Sequence, residues 1–324
     1  MSFVFDGHSD MWCNITMRRL AGERNVFKKY HLPHLQEGNV GALIAAVWIE
    51  TQYTDDPTAR MLEILGAAAA ELRENKEVLG LVLSGNDVER IRAVGKTAIL
   101  FGMEGLSGLK GRAIFLEALY RMGVRHCMLT WNEENEFAVG VGDELGVTGL
   151  KQAGVEAVKL MEELGMIVDV SHASEKTFWD IEKIATKPLM ASHSNAYAVC
   201  PAKRNLKDEQ IKAVAASKGI IGMNGWPTFV SESKQPTVED LADHVDYIAG
   251  LVGIDCVACG FDFCDYLEGR IPFFASAAGS FTKGLFHAGE VPNFFDVLRK
   301  RGYSQEDLDK IAYKNAIRYL RQVL

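Results

Sequence analysis

Phe3-Val4-Phe5-Asp6-Gly7-His8-Ser9-Asp10 is an apolar run that ends in an imidazole and a carboxylate two residues apart. In a β-strand, positions i and i+2 leave on the same side. His8 and Asp10 therefore make a ready pair of metal ligands at a strand end. Further apolar runs follow, and the candidate strands are residues 3–8, 40–49, 97–102, 124–130, 166–171, 189–192, 220–224 and 257–261. Their nearly continuous apolar character suits parallel strands covered on both faces. Amphipathic segments lie between most of them, at 58–75, 111–122, 149–164, 174–184, 207–218 and 238–252. Asp87-Val88-Glu89 opens another helix, and Gly123, Gly165, Gly219 and Gly253 each follow one. Eight alternating units predict an α/β chain closed into a (β/α)8 TIM barrel of the metal-dependent hydrolase type. No G-x-G-x-x-G follows the first strand, which argues against a doubly wound nucleotide fold.

The bulk composition narrows the setting. No Pro/Ser/Gly-rich linker or charge block divides the 324 residues, so one barrel domain with C-terminal helices is expected over residues 1–324. A net charge of −8 argues against nucleic acid or an anionic membrane as partner. Cys256-x-x-Cys259 has no second C-x-x-C to complete a zinc knuckle, and it lies in an apolar run. Buried reduced thiols fit better, and with them a reducing interior. No apolar stretch approaches the ~20 residues of a membrane span. A cytoplasmic location is expected, and a homodimer is left open. The connection at 264–290, after the last strand, carries Phe273, Phe274, Phe281 and Phe286. It reads as a wall over the active site or as a subunit contact.

Barrel enzymes work at the carboxyl ends of their strands, and the reactive side chains fall there. His8 and Asp10 end the first candidate strand, Glu104 the third, His172 the fifth, His193 the sixth and Asp262 the last. A structural role suits any one of them alone, but scattered core histidines would not all choose that end. The N/O donor set suits zinc, and it is too large for one open site but about right for two. Glu104 is the best bridge, leaving His8 and Asp10 on one ion and His172 and His193 on the other. Such a pair would share a water whose pKa falls to about 7, supplying hydroxide against a polarised carbonyl. Arg204 is either a clamp for a substrate carboxylate or a surface arginine. Asp262 is either the residue that shuttles the water's proton or an acceptor orienting a ligand histidine. His31, His34, His126, His244 and His287 are left as structural, with His287 near enough to the rim to reconsider.

At these positions the chain resembles the renal (membrane) dipeptidase family of zinc peptidases, as a soluble, bacterial-type member. The match runs through Asp6-Gly7-His8-Ser9-Asp10, Glu104-Gly105, Leu129-Thr130, Gly149-Leu150, Val168-Asp169-Val170-Ser171-His172 and Ala191-Ser192-His193-Ser194-Asn195. It continues through Arg204-Asn205-Leu206, Gly260-Phe261-Asp262-Phe263 and Arg301-Gly302-Tyr303-Ser304. The resemblance implies a (β/α)8 barrel, two Zn2+ per chain bridged by the glutamate, and hydrolysis of small free dipeptides, including those with a C-terminal D-residue. It implies His8, Asp10, Glu104, His172 and His193 as metal ligands, Arg204 as the binder of the substrate carboxylate and Asp262 as acid/base. Asn224 and Trp226 stand where the family places pocket residues. Trp131 replaces a family histidine that contacts the substrate, and Cys264 with Asp265 replaces part of an acidic run. Two other readings stand beside this one. One is a different metal-dependent amidohydrolase of the same fold, and the other is a catalytically inactive barrel that binds a metabolite or a partner.

Overall fold

The computed structural model describes residues 3–142, 147–271 and 281–324. Within them nine parallel strands form: β1 (Val4–Ser9), β2 (Val40–Trp48), β3 (Leu79–Leu81), β4 (Thr97–Glu104), β5 (Val124–Met128), β6 (Ile167–Asp169), β7 (Met190–Ala191), β8 (Ile220–Met223) and β9 (Val257–Cys259). Eight of them close a barrel. β2 pairs with β4 from Ala42↔Ala98 to Trp48↔Glu104, and β9 returns to β1 at Asp6↔Cys259. All eight expected strands are these barrel strands, and the metal-dependent hydrolase barrel expected from their alternation is the fold observed.

The ninth strand, β3, was not expected. It pairs with β4 over Thr97–Ile99, on the same edge that β5 occupies from Phe101 onward. Three residues are too few to show periodicity, so only the paired partner reveals it. The segment 111–122 is helical only over Phe115–Arg121, because a turn through Lys110 and Gly111, both at positive φ, precedes it. The segment Val238–Val252 is helical from end to end, opened by a capping box between Thr237 and Asp240.

The barrel interior is filled in tiers. At the amino end, Phe5, Ile44, Leu100, Ile167, Met190 and Ile220 form one apolar cluster with Ile317, Tyr319, Leu320 and Val323 of the C-terminal helix. That helix stoppers the barrel, and each large side chain it buries contributes about 1.5–3 kcal/mol. The next tier is nearly free of side chains. Gly7 of β1, Gly222 of β8 and Gly260 just past β9 surround the carbonyl oxygen of Ser192, and a Cβ on any of them would collide with it. His126 and Asp169 complete the tier, buried and bonded at 2.6 Å. Above it is the mouth formed by the carboxyl ends of the strands. Among the described residues, no helix is long and apolar enough to cross a membrane.

Candidate metal centre

The strand ends deliver all five expected ligand side chains to one place. A register shift in β1 between Asp6 and Ser9 turns His8 to the mouth. Asp10 follows as the residue that opens the helix Met11–Leu20. His172 and Asp262 sit just past their strands in the left-handed backbone region, at φ 66° and 60°. Non-glycine residues are uncommon there, and such strain collects where a side chain must be aimed.

Glu104, at the end of β4, divides its two oxygens. Oε2 lies 3.5 Å from His8 Nε2, while Oε1 lies 2.9 Å from His172 Nε2 and 3.6 Å from His193 Nε2. His8 Nε2 is also 3.6 Å from Asp10 Oδ1 and 3.8 Å from Asp262 Oδ1. Two donor groups therefore meet at one carboxylate: His8, Asp10 and Asp262 on one side, His172 and His193 on the other. The imidazoles of His8 and His193 stack across the join at 3.9 Å.

Several donors have nothing to donate to. Both ring nitrogens of His8, Asp10 Oδ1 and Glu104 Oε2 are enclosed without a hydrogen-bond partner. His172 Nδ1 donates to Asn132 Oδ1 at 2.8 Å, which leaves a bare lone pair on Nε2, only 2.9 Å from His193 Nε2. Burial pushes His172 and His193 well below the ordinary imidazole range, so both rings are neutral. Burial also raises Glu104 to about 8, with Asp10 adding to it, and raises Asp262 to about 6. Burial alone would lower His8, but the Glu104 and Asp10 carboxylates hold it well above its usual value. Buried, unpartnered lone pairs and crowded carboxylates facing one point are the donor chemistry that divalent cations satisfy, so the residues fit a metal centre.

The other expected residues fall around this core. Asp10, Glu104, Asp262 and His172 line a cavity of about 60 Å³ with Trp48, Trp131, Trp226, Phe229 and Cys264. Trp131 leans on Trp48 at 5.3 Å and on His172 at 6.1 Å, so the indole forms an apolar wall beside the donors. Asn224 is fully buried. It donates to Asp262 Oδ2 at 3.2 Å and accepts from Trp226 N–H at 2.6 Å, which makes it a brace for Asp262. Arg204 lines a neighbouring cavity of about 500 Å³ that shares His172 with the first. Its guanidinium donates to the His193 carbonyl at 3.1 Å, its Nε has no partner, and burial lowers it to about 10. No ion pair among the described residues includes it, and a buried cation without an anion is costly.

The chain matches the family model described as Membrane dipeptidase (Peptidase family M19) along residues 1–324. It belongs to the membrane dipeptidase family. An uncharacterized protein in the pqqA 5′ region of Klebsiella pneumoniae is 36% identical over 255 residues, spanning 76% of this chain and 89% of that protein. The dipeptidase tcpJ of Claviceps purpurea is 28% identical, spanning 98% of this chain and 76% of that one. A metallo peptidase from Rhodobacter sphaeroides, liganded with a phosphinate mimic of the dipeptide L-Ala-D-Ala, shares the fold. Its TM-score is 0.88 at 23% identity, covering 99% of both chains.

Three residues of this family member went unassigned in the sequence reading. Asp169 Oδ1 accepts the N–H of Ser171 at 2.8 Å and of Ser192 at 3.1 Å, tying together the strand ends that carry His172 and His193. Asp6 Oδ1 accepts the N–H of Phe261 at 2.8 Å and of His8 at 3.5 Å, tying the ends that carry His8 and Asp262. Asn132 orients His172. The repeated spacing of an aspartate two residues before the end of an apolar run was the available signal for the two clips. Of the long connection, Phe273 and Phe274 lie outside the described residues, while Phe281 and Phe286 pack edge to face at 4.3 Å.

Proposed function

We propose that this chain is a two-zinc dipeptidase that hydrolyses small free dipeptides, those with a C-terminal D-residue included. The observation that carries the reading is the divided carboxylate of Glu104, with one donor group at each oxygen. His8, Asp10 and Glu104 would hold one ion, and Glu104, His172 and His193 the other. Zinc, when bound, supplies an acidified water and charge stabilisation at the scissile carbonyl.

The remaining steps belong to the protein. Arg204 receives the substrate's free carboxylate, supported by its burial and by its unpartnered Nε. Asp262 is braced by Asn224 through Oδ2, which leaves Oδ1 to take a proton from the attacking water and return it to the departing amine. Trp131 and Trp226 exclude bulk water from the small cavity. The peptide group fits there, and the larger cavity next to Arg204 takes the C-terminal residue. Six buried free cysteines agree with a reducing cytoplasm as the setting.

The test combines metal analysis with turnover of a panel of L,L and L,D dipeptides by zinc-reconstituted protein. Two zinc ions per chain and cleavage of the panel support the reading. Metal-loaded protein inert to every dipeptide but active on another amide moves it to a different amidohydrolase, and well-folded metal-free protein moves it to a binding barrel.

A further inference from the structure

Five histidines lie outside the centre, and three of them make hydrogen bonds that hold the fold. His31 bonds Asn14 at 3.2 Å, and His126 bonds Asp169. His244 bonds the Val230 carbonyl at 2.8 Å and the Ala196 N–H at 3.1 Å. The other two face each other. His34 and His287 have ring centroids 4.2 Å apart, tilted by 42°. Glu37 joins them from the helix Leu32–Glu37, where residues i and i+3 share a face.

We propose that His34, Glu37 and His287 form a separate site for a borderline divalent cation, with zinc as the ion that suits it best. Their ligand atoms all lie within 4.8 Å of one another. His34 Nδ1 stands 3.6 Å from Glu37 Oε2, close to the about 3.3 Å that two ligands on one tetrahedral zinc keep at ~2.0 Å bonds. That nitrogen is enclosed and has no hydrogen-bond partner. The two segments are pressed together at this point, since a Cβ on Gly38 would collide with the carbonyl oxygen of Ala288. Asp265 lies near enough to feel both imidazoles: burial raises its carboxyl to about 6, and His287 and His34 oppose that rise.

Closing the site needs small movements only. The Gly289 N–H now donates to His287 Nδ1 at 3.0 Å, so an ion takes that lone pair in exchange for one backbone bond. Glu37 is 64% exposed and His34 43% exposed, so both side chains can turn edge-on to an ion without disturbing the core. Two imidazoles and one carboxylate leave a fourth position for water. The bound ion would join the helix Leu32–Glu37 to the far end of the connection that follows β9. The site shares no residue with the centre at the barrel mouth and does not rest on the dipeptidase reading.

The full chain is dialysed against zinc, and bound metal is counted for the parent and for the His34→Ala/His287→Ala variant. The parent is expected to hold one more equivalent than the variant and to show a zinc-dependent rise in Tm that the variant lacks. Dipeptide turnover, where present, stays within about twofold. Equal zinc content and equal Tm response overturn the site. Glu37→Gln preserves shape and is titrated in parallel, so a misfolded alanine variant does not decide the matter. Its zinc affinity at this site is expected to fall at least about tenfold, and unchanged affinity also overturns the site. Loss of ions from the mouth, or failure to cleave any dipeptide, alters parent and variant alike and leaves their difference readable.

Discussion

On the β1/β9 side of the mouth, Asp6 lies on the outer face of the barrel wall, beside Met11 and His31. On the β6/β7 side, Asp169 lies in the lumen against His126. Both use one carboxylate oxygen to gather two backbone N–H groups, one two residues ahead on the same strand and one from the neighbouring strand. They differ in what compensates the charge. Burial pushes Asp6 up to about 7, with its two N–H bonds only partly opposing it. Burial also acts on Asp169, but His126, the Ser192 side chain and the Ser171 N–H hold it below its ordinary 3.8. One clip is a fully ionised, paired anchor, whereas the other is a carboxyl near its midpoint at neutral pH. The same hydrogen-bond pattern therefore does not imply the same energetics, because the partner across the carboxylate sets the charge state.

Glu104→Gln strikes the residue that joins the two sides. It is expected to lower kcat/KM at least about 10³-fold, roughly 4 kcal/mol, and to weaken metal retention on both sides. Near-normal turnover with one ion lost would mean that the sides act independently. Asp169→Asn breaks a buried pair, and denaturant unfolding should show a loss of about 3–4 kcal/mol. Arg204→Ala should raise KM for free dipeptides about 100-fold, near 2.7 kcal/mol, and leave C-terminally amidated substrates little changed. Equal losses on both substrates would remove the carboxylate role. Asp6→Asn should not destabilise the protein at pH 7, because holding its carboxyl partly protonated there already costs the parent stability relative to the ionised unfolded chain. Equal costs for the two asparagine variants would break the comparison.

The pH dependence of the metal-free protein sharpens it further. The folded-state value of Asp6 is raised, so its stabilising contribution is complete below pH 3.8 and lost as pH climbs toward about 7. Asp169 runs the other way. Its contribution is present above 3.8 and lost as pH falls through its depressed folded value. Unfolding measured across pH should therefore show Asp6→Asn gaining on the parent as pH rises, and Asp169→Asn converging on the parent in acid.

The barrel and its mouth were legible in the sequence because they depend on local pattern. Buried parallel strands read as apolar runs, and reactive side chains at their ends stand out against them. That His8, Glu104, His172 and His193 converge could be expected from position alone. What sequence could not supply was pairing across strands. β3 becomes a strand only beside β4, and Asn224 becomes a brace only where Asp262 returns to it. Arg204 also lacked a decisive signal. Its unpartnered Nε is a property of the fold, and in the sequence it stands in a loop like any surface arginine.

The tier beneath the metal centre has one more consequence. With Gly7, Gly222 and Gly260 closing on the Ser192 carbonyl, that part of the platform under the candidate metal centre is main chain, with no side chain to trim. In a mutational scan of that level, even alanine, elsewhere a mild replacement, would drive a Cβ into main chain. Substitution can therefore remodel the walls of the mouth, but not deepen it at these three positions.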